Sequence, residues 1–376
     1  MQPALNQFSE ENDILKFTLH GVNVCFANAI RRTILSDIPI VVIHTDSHET
    51  NQCTIKQNTG RLHNEIIKQR LSCIPIHTTL LRDTDREKAL PGNYSLVLDI
   101  TNDTDNTIFV TSGDFRLKDN TTNTVLSKEE MDKRFPGLFP MNIKTQSYID
   151  FARLRAKVSN EISGESLNLT ADFAVSTAKH SSMYNVVSKC AYGNTQDTTK
   201  SIAVWDAHEA KLRTDGETDS DIKFQKKNFN ILDAQRHYVP DSFDFVLQTL
   251  GIYDNKDLVR KACAILQNKL IDIIQGVESM PIFISDTTME NCFDIRLENE
   301  DYTIGKVIEY IMYTKFYEGD KTLTFCGFKK FHPHDTESTV RIAFDKKSDL
   351  SRVRQYLKEV CVDGQEIFKD IHGLFK

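Results

Sequence analysis

The sequence predicts an α+β protein in which two similar modules pack on one another, the first interrupted by a mainly β insert. Three observations carry this. A strand–turn–helix pattern near the start recurs near the end at a constant offset of 278 (293 against 15). Each copy leads to a long helix with an apolar seam of period 3.5, the pattern of helices packed nearly side by side. Between the copies, a polar stretch rich in Asn, Thr and Asp breaks the first module.

Leu15, Phe17 and Leu19 alternate with Lys16, Thr18 and His20, the period of a half-buried strand. Gly21-Val22-Asn23 turns the chain, Phe26, Ile30, Thr33 and Ile34 recur at helical spacing, and Ile38-Pro39 follows the helix end. Ile40 to Ile43 reads as the next strand. An insert is expected from about Ser47 to Gly164, with a strand at Tyr94–Leu98 and a mobile loop around Lys118–Thr124. Further loops are expected at Gly193–Ser201 and Gly216–Ile222.

Near the other end, Phe293, Ile295 and Leu297 alternate with Asp294, Arg296 and Glu298. Asn299 to Tyr302 turns the chain and Thr303 is the expected N-cap. Ile304, Val307, Ile308, Ile311 and Met312 then follow helical spacing. At the 278 offset Phe293 falls on Leu15, Ile295 on Phe17, Leu297 on Leu19, Ile304 on Phe26, Ile308 on Ile30 and Met312 on Ile34. Gly305 falls on Ala27.

The first seam runs through Val259, Cys263, Leu266, Leu270, Ile273, Val277 and Met280. The second runs through Leu350, Val353, Leu357, Val360, Gly364, Ile367, Ile371 and Leu374, with Gly364 weakening its helix locally. The division follows: residues 1–46 and 165–280 form the first module, 47–164 the insert and 281–376 the second module. Packing between the modules is assigned to Phe26, Ile30, Ile34, Ile304, Ile308, Met312, Leu266, Leu270, Ile273, Leu350, Val353 and Leu357.

A net charge of -7 argues against primary recognition of a phosphate backbone, which needs clustered Lys and Arg. The opening residues, MQPALNQFSEENDILKF, lack the marks of a signal peptide, and IPIVVI is too short for a membrane helix. The eight cysteines have no CxxC half-site and read as reduced thiols, several in the core. No phosphate-binding loop, nucleophile elbow or HExxH pattern is present. Asp99, Asp103 and Asp105, and Asp215, Asp219 and Asp221, lie in polar sequence and read as solvated acids. His332 and His334 flank a proline and read as solvated or interface residues; no catalytic residue, metal or cofactor is expected.

ANAIRRTIL followed by IPIVVI resembles the signature of α-like subunits of multisubunit, DNA-dependent RNA polymerases. NTGRLHNEIIKQRLSCIPI (Asn58–Ile76), Ala178-Lys179-His180 before a strand at Tyr184–Tyr192, Leu232-Asp233-Ala234 and Pro240–Phe245 resemble successive segments of the third-largest, archaeal D-like subunit. Tyr302–Gly305, Gly327–Pro333 and the strand Thr339–Phe344 resemble its small partner, the eleventh subunit, L-like in archaea.

The resemblance implies α-like dimerisation modules packed as a pseudo-heterodimer, fused head to tail as in large cytoplasmic DNA viruses. It implies a non-catalytic assembly scaffold for transcription. Its partners would be the two largest polymerase subunits and small assembly subunits, with DNA reached only through the complex and no membrane. The expected location is virion and host cytoplasm if viral, nucleus if cellular eukaryotic. A free-standing duplicated-domain protein-binding module is the alternative.

Taking ~100° per residue, Asn28, Arg32 and Leu35 point away from the apolar stripe of the first helix, with Arg31 on its flank. At the second copy the outer positions are Lys306, Tyr310 and Tyr313, so the arginine pair is absent there. Asn28, Arg31, Arg32 and Leu35 are the expected contact with a large subunit, because Arg offers a rigid donor fork at interfaces. Reversing both arginines to Glu is expected to spare folding.

Overall fold

The computed structural model describes residues 1–78, 89–159 and 161–376. In chain order the structure opens with strands β1 (Ala4–Glu11) and β2 (Ile14–His20), helix α1 (Val24–Ser36), β3 (Ile40–Val42), β4 (Cys53–Asn58) and α2 (Asn64–Ser72). Then come β5 (Tyr94–Thr101), β6 (Ile108–Thr111), β7 (Arg116–Asp119), β8 (Thr124–Val125), α3 (Lys128–Arg134), β9 (Asp150–Leu154), β10 (Ser166–Asp172) and β11 (Ala174–Ser176). Next are β12 (Val187–Gln196), α4 (Thr198–Thr214), α5 (Asp219–Ile231), β13 (Tyr238–Thr249) and α6 (Asn255–Gly276). The last are β14 (Ile282–Ile284), β15 (Cys292–Glu298), α7 (Tyr302–Met312), β16 (Leu323–Lys329), β17 (Glu337–Phe344) and α8 (Leu350–Leu374).

These elements form two compact units. One comprises Met1–Ile34, Lys189–Gln248 and Asn255–Lys376; the other comprises Leu35–Ser188 and Thr249–Asp254. The expected insert limits, 47 and 164, both fall inside the second.

The first unit holds two four-stranded antiparallel sheets, ordered β1-β2-β13-β12 and β14-β15-β17-β16. In both, the order reads edge strand, helix-leading strand, last strand, penultimate strand. The starts of β2 and β15 keep the offset of 278 (292 against 14), and so do those of α1 and α7 (302 against 24). Phe243 pairs with Leu19 and Ser338 with Leu297, so the last strands correspond at an offset of 95 (338 against 243). The alternating apolar residues all face inward: Leu15, Phe17, Leu19, Phe293, Ile295 and Leu297 are buried. Phe17 stacks on Phe245 at 4.9 Å and meets the edge of Phe375 at 4.9 Å.

Helices α6 and α8 pack along each other, and α7 packs on α8. α6 ends at Gly276, so Val277 and Met280 lie beyond the helix, contrary to the seam expected there. In α8 the buried set is Val353, Tyr356, Leu357, Val360, Cys361, Gly364, Phe368 and Ile371. This stripe is broader than a coiled-coil seam because α8 faces both α6 and α7. Leu350, in the first turn, is the most exposed of the residues assigned to that packing, at 36%.

Two loop expectations are corrected. Gly193 lies inside β12, and residues 198–201 already belong to α4; Asp197 accepts from the Lys200 backbone N–H and starts that helix. The segment 219–222 is the first turn of α5, capped by Thr218. Lys118–Thr124 is a β7–β8 hairpin, with Asp119 Oδ1 accepting from the Thr121 and Thr122 backbone N–H groups. The strand expected at 184–192 runs instead from Val187 to Gln196.

The second unit is built on the sheet β4-β10-β5-β7-β8, with the two-stranded pairs β3–β11 and β6–β9. Phe115, Phe151, Leu96, Leu117 and Leu169 are fully buried at its centre. Among the described residues no helix is long and apolar enough to cross a membrane.

Candidate functional site

The helix that carries the arginine pair starts at a side-chain cap: Asn23 Oδ1 accepts from the Cys25 backbone N–H at 3.1 Å. The equivalent cap of α7, at the same offset, is Asp301, whose Oδ1 accepts from the Thr303 N–H at 2.8 Å. Thr303 is the cap expected from sequence; the acidic residue two places earlier takes that role because its carboxylate reaches the free helix-end donors.

Arg31 donates through Nε and Nη2 to Asn28 Oδ1, at 3.1 and 2.9 Å. Arg32 does something else. Its Nη2 lies 2.5 Å from Asp301 Oδ2 and its Nε donates to Thr303 Oγ1 at 2.9 Å, so one guanidinium holds the cap and the first turn of α7. Burial raises the Asp301 carboxyl, but the hydrogen bonds from Thr303 and the Arg32 charge outweigh it and hold it below its ordinary value. Arg32 is therefore not spare charge on an outer face, and its reversal to Glu would set two carboxylates together. The ion pair weighs against the expectation that such a change spares folding. Leu35 is half-buried.

At the opposite end of α1, Phe26 meets the Tyr310 ring at 6.4 Å, edge to face, and Phe368 at 5.3 Å. The start of α1 thus meets the end of α7, and the end of α1 meets its start: the two helices run antiparallel. Tyr310, expected to point outward, instead faces Phe26. Phe26, Ile30, Ile34, Ile304, Ile308, Met312, Leu266, Leu270, Ile273, Val353 and Leu357 are all buried.

Two glycines set how closely these elements approach. A Cβ on Gly364 would sit 3.1 Å from Leu270 Cδ1 and 3.2 Å from Ile311 Cδ1, so this position brings α8 close to α6 and α7. Rather than only weakening its helix, Gly364 creates room for that contact. At Gly305 a Cβ would lie 1.9 Å from the Phe328 ring, which rests directly on the helix backbone.

Elsewhere, Asp99, Asp103, Asp105, Asp215, Asp219 and Asp221 are all exposed. Asp219 pairs with Arg213 at 3.3 Å and Asp221 accepts from the Thr218 hydroxyl, ordinary surface and capping roles. His332 Nδ1 accepts the His334 backbone N–H at 3.1 Å. A group that sequence spacing does not reveal is His44, Asp46 and His180 in the second unit, whose ligand-type atoms lie within 4.8 Å of one another. His180 stands out in the sequence only as part of a short motif, and its two companions lie far from it along the chain.

Several known proteins are similar to parts of this chain. DNA-directed RNA polymerase subunit Rpo3 of Pyrococcus furiosus is 38% identical over 73 residues, 19% of this chain and 25% of that protein. The Rpo3 of Pyrobaculum arsenaticum is 29% identical over 119 residues, 30% of this chain and 42% of its own length. DNA-directed RNA polymerases IV and V subunit 3B of Arabidopsis thaliana is 38% identical over 66 residues, 18% of each chain. The chain spans less than half the length of each of these relatives. A family model matches far more of it, residues 16–270, from β2 into α6. The chain belongs to the RNA polymerase Rpb3/Rpb11 dimerisation domain family.

Proposed function

We propose that this protein is a non-catalytic assembly subunit of a DNA-dependent RNA polymerase, in which two dimerisation modules are fused into one pseudo-heterodimer that docks the two large catalytic subunits. The observation that carries the reading is reciprocity. Phe26 corresponds to Ile304 and Tyr310 to Arg32 at the 278 offset, so the twofold mate of the Phe26–Tyr310 contact is Ile304 with Arg32. Arg32 indeed grips the neighbouring Thr303. The α6–α8 approach at Leu270 and Gly364 falls one residue from self-equivalence at the 95 offset (364 against 269). A twofold interface contacts itself in this way, residue i with j and j with i.

In this reading residues 1–46 with 165–280 correspond to the third-largest-subunit type, 281–376 to its small partner, and 47–164 to the insert. A covalent link replaces bimolecular pairing by a high effective concentration. Asn28 and Arg31 are proposed to face a large subunit, while Arg32 serves the pairing of the modules. DNA is reached only through the complex. The fused arrangement is the one associated with large cytoplasmic DNA viruses; if viral, the complex would work in the host cytoplasm and virion, and if cellular eukaryotic, in the nucleus.

The test is affinity purification of the tagged full chain from its native source, followed by mass spectrometry. Two chains several times larger than 43.0 kDa should co-purify in fixed ratio. Recovery without any such chain would overturn the assembly role and favour a free-standing binding module.

A further inference from the structure

In the second unit, β3 and β11 pair antiparallel, with Val42 opposite Ala174 and Ile40 opposite Ser176. The chain leaves β3 into His44-Thr45-Asp46 and leaves β11 into the turn Thr177–His180, closed by the His180 N–H on the Thr177 carbonyl at 3.0 Å. The segments that flank this ribbon bring three side chains together. There His180 Nε2 lies 3.5 Å from Asp46 Oδ2, and the His44 and His180 rings stand edge to face at 5.1 Å.

Each side of the group is also held from behind. The Tyr184 hydroxyl is 3.2 Å from His44 Nδ1, and Thr50 Oγ1 donates to Asp46 Oδ1 at 3.4 Å. The His44 backbone is fixed on both sides by Gln52, whose Oε1 accepts the His44 N–H at 3.0 Å and whose own N–H donates to the His44 carbonyl at 2.7 Å. Thr45 Oγ1 donates to the Lys68 carbonyl at 2.9 Å. Metal-binding imidazoles and carboxylates typically have such outer partners, which set the tautomer and aim the ligand atom.

We propose that His44, Asp46 and His180 form a binding site for a divalent transition-metal ion that staples the segment after β3 to the turn after β11. Two imidazoles and one carboxylate select zinc, cobalt or iron(II) over calcium or magnesium, which take oxygen ligands. Tyr184 occupies His44 Nδ1, leaving Nε2 to coordinate; Asp46 coordinates through Oδ2. Three protein ligands leave a position for water, as in zinc sites that are not closed. Asp46 also lines a cleft of about 600 Å³ with His48 and His63, a route by which the ion enters.

The test titrates tag-free full-length protein with Co(II), then Zn(II), at neutral pH. One equivalent of Co(II) should give a visible d–d spectrum that Zn(II) displaces, and Zn(II) should raise the melting temperature. His180→Gln, an exposed change, should abolish both responses. Tyr184→Phe should weaken affinity by about 10–100-fold, and His332→Gln with His334→Gln should change neither. Absence of a stoichiometric Co(II) spectrum, or one that survives His180→Gln, would overturn the proposal.

Discussion

The regions around α1 and α7 have the same strand order, equivalent cap positions and the same inward-facing residues, yet they treat their loops and helix ends differently. In the α7 region the penultimate and last strands are joined across residues 330–336. In the α1 region the corresponding join carries α4 and α5, a helical pair with its own small core of Trp205, Leu212, Ile222, Phe229 and Ala234. The helix ends differ in chemistry: Arg32 stands where the other copy has Tyr310, and Asn23 where it has Asp301. Buried positions thus keep their character across the repeat. The two helix surfaces have specialised into an ion pair at one end of the contact and an aromatic pair at the other.

The comparison breaks most readily at its buried pivots. Phe26→Ala should cost about 3–5 kcal/mol and its counterpart Ile304→Ala about 2–5 kcal/mol, as large core truncations do. Thermal unfolding followed by circular dichroism checks both; a mild effect at one of them would remove the equivalence. The small-residue position separates the copies more sharply. Gly305→Ala drives a methyl into Phe328 and should cost about 2–3 kcal/mol, whereas Ala27→Gly should cost only ~1 kcal/mol through helix propensity.

Next comes the ion pair. Arg32→Glu should lower stability by about 2 kcal/mol, since a charged hydrogen-bonding group is lost at a half-exposed site. Arg31→Glu should change it by under about 0.5 kcal/mol while weakening recovery of the proposed large subunits. If the two arginines behave alike in unfolding, the division of labour between them is wrong.

Asp301 adds a pH signature to the same contact. Its folded pKa is depressed, so its contribution is fully present above the unfolded carboxylate value of about 3.9 and is lost as pH falls through the lower folded value. Asp301→Asn should therefore be less stable than the parent at pH 7, by about 1 kcal/mol, with the difference shrinking as pH falls below about 3.9. The smallest effect is one of labelling. Exposed Cys73 should react with a thiol reagent in the native state. Cys53, pushed up to about 11 by burial, and Cys361, pushed up to about 12, should react only on unfolding.

What is legible in the sequence follows from where periodicity decides structure. β2, α1, β15 and α7 each have one buried face, and their alternation or helical spacing is readable directly. The α4–α5 pair escapes such a reading because its few buried residues are widely spaced, Trp205, Leu212, Ile222 and Phe229 among polar neighbours. Asp197 and Thr218, both side-chain caps, are the signals that mark its helix starts. Helix α3 carries a similar mark, the reciprocal Ser127–Glu130 capping box. The direction of Arg32 is not legible, because helical phase fixes only where a side chain leaves its own helix. Its partner, Asp301, is brought alongside by tertiary structure. His44 and Asp46 give no signal for the same reason: a two-stranded ribbon joins them to His180.

The stacking of Phe17 between Phe245 and Phe375 has a consequence in time. A ribosome adds about 5–20 residues per second, so Phe17 is made roughly 20–70 s before Phe375 exists. Until then the inner face of β2 lacks one of its covering rings, and the first sheet waits with apolar surface uncovered. Contacts between such distant parts of a chain form late because the intervening loop must close first. During synthesis the inner face of β2 therefore stays partly uncovered until Phe375 is made.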